Sequence, residues 1–139
     1  MAGLYSTLVF LHVSANVVWI GSILAVAVVL MSAEGDSTLR GKLALDVYKK
    51  LAMPAFVVSF LTGGLRLALD TNYYFVQTKF MHGKLFLALV VIGLHHAIGG
   101  RAKRVAGGAA KDAGHVATFA VILVVAATGA VFLVVSKPF

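Results

Sequence analysis

Four stretches of this chain run for about twenty residues or more almost without formal charge, and they decide what it can fold into. Residues 4–31 carry no charge, 51–69 carry Arg66 near their end, 80–98 carry Lys84 near their start, and 116–136 carry none. Each is near or above the ~20 apolar residues needed to cross ~30 Å of hydrocarbon. In lipid every backbone N–H and C=O must be paired within the segment or within a closed barrel. A chain of 139 residues without alternating strands is therefore left with helices. The expected fold is all-α: an integral membrane four-helix bundle, one domain over residues 1–139. Composition agrees, with 60% hydrophobic and 12% charged residues, against ~25% charged in a soluble domain. The first run lacks a basic leading segment and is too long for a signal-peptide core, so it is expected to be a retained helix.

Three connecting segments remain, 32–50, 70–79 and 99–115. The first holds LRGKLALDVYKK, which fits a short interfacial amphipathic helix leading into the second span. In the second, Tyr73, Tyr74 and Phe75 fit an aromatic anchor at the membrane interface. The third, GGRAKRVAGGAAKDAGH, is Gly/Ala-rich and basic and is expected to be a mobile loop. Segments one and three hold eight Lys and Arg, and the opposite side holds four. That bias predicts both termini outside and the basic loops in the cytoplasm, in a multi-pass protein of the cell's inner (plasma) membrane. The net charge of +7 belongs to these flanks, so anionic lipid is the expected partner and nucleic acid is not. With no cysteine there is no disulfide, iron–sulfur cluster or thiolate ligand.

All five histidines, His12, His82, His95, His96 and His115, lie in or at the rim of a span. Intramembrane ionisable groups mark function by default, and imidazole is the usual axial ligand of haem iron as well as a copper and zinc ligand. At ~1.5 Å per residue, His12 and His82 fall about 10 Å toward the outer side, and His95 and His96 about 10 Å toward the inner side. A haem edge-on in a bundle needs ligands from different helices at matching depth, which His12 and His82 supply. His82 and His96 project from nearly one face, about 20 Å apart, as stacked haems would require. The expected cofactor is haem b, one or two per chain. Met53 enters at the inner depth with a soft thioether. Each histidine also fits a plain interhelical hydrogen bond, and His115 fits an interfacial residue. Asn16, one turn after His12, is expected to orient that imidazole, and Trp19 belongs to the same helix. Arg66 and Lys84, both on the outer side, fit either snorkelling cations or partners for haem propionates or an anionic substrate. The glycines fit close-packing positions, and Pro54 sits in a first helical turn where proline is tolerated.

LHVSANVVWIG, LAMPAFVVSFLTGGLRL and MHGKLFLALVVIGLHH together resemble the HemJ family of protoporphyrinogen IX oxidases and its CopD-like relatives. The matching positions are Leu11, His12 and Trp19, then Met53, Pro54, Ala55 and Gly64, then His82, Lys84, Leu85 and His95. The resemblance implies a small b-haem protein, a homodimer, with His12 a haem ligand and Lys84 functionally important; Arg66, read from its place on the outer side, is the second residue expected at the reacting centre. HemJ-type members oxidise protoporphyrinogen and pass electrons on to quinone, while CopD-like members are associated with copper uptake. The family's Arg- and His-bearing end of helix one is replaced here by ILAVAVVLMSAEGD, the tyrosine before the third-helix histidine is Leu94, and His96 is an addition. The resemblance is thus closer for the haem scaffold than for the reaction. Three functions are expected in that order. The first is a b-type cytochrome in quinone-linked electron transfer. The second is a protoporphyrinogen oxidase acting on a porphyrinogen-like molecule. The third is a copper-handling protein using Met31, Met53, Met81 and the histidines.

Overall fold

The computed structural model describes residues 2–138. It is all-helical, without a strand among the described residues, and four of its helices are long and apolar enough to cross a membrane. Helix α1 spans Ala2–Met31, α2 Ser37–Val47, α3 Met53–Leu69, α4 Phe80–Ala106 and α5 Val116–Ser136. The surface is apolar along its length, with Phe10 68% and Val135 78% exposed. That inverted surface is what a bundle facing lipid tails presents, and it is consistent with a multi-pass membrane protein.

Two boundaries differ from expectation. The 37–47 helix does not lie apart from the second span. It runs into α3 through a π-helical turn, Tyr48–Ala52, giving one apolar helix over Ser37–Leu69. The cause is Pro54: its nitrogen has no proton, and its ring crowds the carbonyl four residues back. The Met53 N–H accordingly bonds the Tyr48 carbonyl, one residue further back than an α-helix would use. The 99–106 stretch, expected to be mobile, continues α4 instead. Its Ala102 and Val105 are in the core, and Gly99 and Gly41 let neighbouring groups approach. A Cβ at Gly99 would run into the Tyr48 ring, and one at Gly41 into the backbone of Val105 and Ala106, so α2 lies directly on α4. Asp36 caps α2 by accepting from the Leu39 N–H at 2.8 Å.

Helix α1 packs chiefly on α3, and α4 on α5. The main core joins Ile23, Val26, Ala27 and Leu30 of α1 to Ile98, Ala102 and Val105 of α4 and to Val116 and Leu123 of α5. It fills the half of the bundle nearest α2, here called the loop end. The other half, near Tyr5, Arg66 and Lys137, is the terminal end. There the described residues form the smaller core cluster Tyr74, Phe80 and Met81. Tyr74 is buried rather than sitting as a simple interface anchor, while Phe75 next to it is exposed.

Candidate functional site

Two separate histidine environments result. At the terminal end, His12 of α1 lies on α3, its ring against Gly63. A Cβ there would sit 2.9 Å from the imidazole Cε1, so the glycine makes the seat. The Ser59 carbonyl is 2.9 Å from His12 Nδ1. A carbonyl only accepts, so Nδ1 carries the proton. The Thr62 hydroxyl gives its own proton to the Val58 carbonyl at 2.7 Å and lies 3.4 Å from the same Nδ1. In the neutral ring Nε2 then holds the lone pair, and no described residue bonds to it. Asn16 does not touch the imidazole. Its amide donates to the His12 carbonyl at 2.8 Å and accepts from the Ser59 hydroxyl at 3.0 Å, which locks α1 to α3 at this level.

Below this sits a cationic pocket of about 120 Å³, lined by Tyr5, Arg66, Tyr74, Lys84 and Lys137, roughly the space of four waters. One Arg66 nitrogen, Nη2, donates to the hydroxyls of Tyr5 and Tyr74, each at 3.0 Å, and those hydroxyls are 2.7 Å apart. Burial lifts the Tyr74 phenol above its ordinary range, helped by the Tyr5 hydrogen bond and opposed by Arg66, so it stays protonated. Arg66 Nε is buried without a partner. Lys84, half-buried on α4, makes no hydrogen bond or ion pair among the described residues. No carboxylate of the described residues lines the pocket.

At the loop end, His95 of α4 is 0% exposed. Trp19 donates its indole N–H to His95 Nδ1 at 3.0 Å, and Met53 Sδ is 3.2 Å from Nε2. An indole nitrogen only donates, so Nδ1 accepts, and the neutral ring must carry its proton on Nε2, facing the thioether. This is the opposite tautomer to that of His12. Phe56, Tyr48 and His96 close round the ring with centroids 5.1, 4.9 and 4.9 Å away. The π-helical turn matters here, because Tyr48 and Met53, at its two edges, both reach His95. Sulfur and nitrogen bound on opposite sides of one metal stand about 4 Å apart. At 3.2 Å the His95–Met53 pair is in mutual contact and too close to stand on the two faces of one macrocycle.

The structure brings Trp19, Met53, His95 and His96 together at one end, and His12, Asn16, Arg66 and Lys84 toward the other. His82 joins neither group. It is exposed in the first turn of α4, with Phe75 6.0 Å away edge-on, and no described contact links it to His12. His96 is exposed with Nδ1 3.3 Å from the Tyr48 hydroxyl, and His115 is exposed at the start of α5. The described residues hold no cluster of three or more His, Cys, Asp or Glu suited to a metal ion. Ser59, Thr62, Tyr5 and Tyr48 escape a reading of the sequence. The available signal was Ser59 and Thr62 three apart in an apolar span, where hydroxyls on one face need partners. Comparison with protein-family models, with curated proteins and with solved structures finds no match for this chain.

Proposed function

We propose that this chain is a b-type-cytochrome-like membrane protein that holds haem at its terminal end through His12 and serves electron transfer to or from a membrane quinone. The observation that carries the reading is the His12 tautomer. With Nδ1–H committed to the Ser59 carbonyl, the ring is held in orientation and made more basic, and Nε2 presents its lone pair. A metal-ligating imidazole is held in this way, with its other ring N–H given to a carbonyl or carboxylate. The residues present fit such a group in a second respect. The unpaired Lys84 ammonium and the orphaned Arg66 Nε leave positive charge that two propionates would satisfy. Haem, when bound, supplies one-electron redox chemistry.

The chain's own part is positional. Ser59, Thr62 and Gly63 fix the imidazole, while Arg66 and Lys84 bind carboxylates. The Tyr5–Tyr74 pair keeps Arg66 aimed. The same cations suit the carboxylates of a porphyrinogen, which is the specific enzymatic version of this reading. Copper handling is the second reading. The His95–Met53 contact favours it, since a thioether and an imidazole suit Cu(I). Against it, Trp19 holds the His95 proton on Nε2, the nitrogen that faces the sulfur.

The test is a reduced-minus-oxidised absorption spectrum of detergent-purified protein expressed with ample haem supply, wild type beside His12→Ala. The proposal expects a sharp b-type α-band that the variant loses. A colourless wild-type protein sinks the haem reading, and copper found in that protein would support the second.

A further inference from the structure

A cavity lies away from both histidine environments' cores, at the loop end between the last turns of α4 and the first turn of α5. It measures about 350 Å³, and its lining includes Arg101, Arg104, His96, His115 and Phe119 but no carboxylate among the described residues. Arg101 is held in place: its guanidinium bonds the Asp112 carboxylate and, through Nε at 3.1 Å, the Asp112 carbonyl. Gly114 closes against it at φ +57°, where a Cβ would stand 3.1 Å from the guanidinium carbon. Only glycine accepts that backbone readily and leaves the arginine its place. The Arg104 guanidinium has no hydrogen bond or ion pair among the described residues and is exposed on the cavity's edge. Two imidazoles add ring N–H donors. Below the cavity, on the faces that line it, Leu89 of α4, two turns before His96, is 68% exposed, and Ile122 of α5, one turn after Phe119, is 44% exposed, so an apolar strip continues the seat.

A concave cationic seat above an apolar strip matches one ligand class better than any other. We infer that the cavity between α4 and α5 binds the phosphodiester of an anionic phospholipid, with Arg104 as the charge partner, Arg101 as the preset donor, and an acyl chain along the α4–α5 face past Leu89 and Ile122. Basic pockets between membrane helices recognise lipid head groups in this way. The apolar strip distinguishes the lipid from a free phosphate ion, which would gain nothing from it. The inference is independent of haem and of His12.

The experiment is native mass spectrometry of the detergent-purified protein with dioctanoyl phosphatidylglycerol, dioctanoyl phosphatidylcholine or inorganic phosphate. Arg104→Gln is compared with Lys103→Gln, an exposed neighbour outside the cavity. The expected result is retention of phosphatidylglycerol over phosphatidylcholine, weakened about fivefold in R104Q and unchanged in K103Q. Inorganic phosphate at the same concentration should not displace the lipid; if it does, the source of the anion is free phosphate and the lipid assignment falls. Equal retention of the two lipids, or equal loss in the two variants, overturns the site.

Discussion

His12 and His95 both lie on helices long and apolar enough to cross a membrane, within hydrogen-bonding reach of a neighbouring helix, yet their surroundings give them opposite chemistry. At the terminal end a backbone carbonyl accepts the hydrogen bond of Nδ1–H, leaving the Nε2 lone pair unbonded among the described residues, while Arg66 Nε is buried without a partner at the same end. At the loop end an indole N–H occupies Nδ1, so the proton sits on Nε2 inside a closed aromatic shell. The first arrangement spends stability on keeping a lone pair and two charges available. The second satisfies both ring nitrogens and gains packing. The lesson is that the partner's polarity, acceptor or donor, decides which ring nitrogen of a buried histidine keeps a free lone pair.

This contrast makes unequal demands on variants. The largest effect is expected for His95→Ala. It empties a fully buried ring site and orphans the Trp19 N–H, and should cost about 3–5 kcal/mol in a reversible denaturant titration while leaving the haem band in place. Loss of the band with stability intact would move the ligand to the loop end. Lys84→Met comes next and should do the reverse. It removes an unpaired half-buried charge, so the fold gains stability while haem retention on dilution weakens about tenfold. A variant that keeps haem as tightly as the wild type would detach Lys84 from the site. Trp19→Phe is the smallest, about 1–2 kcal/mol for one buried hydrogen bond. Nitrogen chemical shifts of His95 should then show the Nε2–H tautomer giving way to a mixture. An unchanged tautomer would mean that Met53, and not Trp19, sets it.

The four long apolar helices were legible because twenty-residue apolar runs leave a short chain no other option. The separation of His12 from His95 was legible because helical rise sets position along a bundle. Rotation and register were not. His12 and His82 were expected to face one another, but His82 falls on the exposed face of α4, and nothing in an apolar helix without a polar stripe predicts that. The Met53 thioether was placed at the right height, while its contact with His95 depends on the π-helical turn that Pro54 forces. The 99–106 segment misleads because its glycines look like loop residues. Gly99 is instead the gap into which the Tyr48 ring fits, and Ala102 and Val105 continue the buried face. Asn16 was expected to hold the imidazole, but the carbonyl of Ser59 does so, and a backbone acceptor has no signature in sequence.

The central claim, that His12 Nε2 is a ligand atom, is tested most directly by chemical rescue. His12→Gly, purified after expression with haem supply, should lack the b-type band, and added imidazole together with haem should restore it in saturable fashion. A band that persists in His12→Gly, or an absent band that imidazole leaves unrestored while His82→Gly responds, would contradict the account.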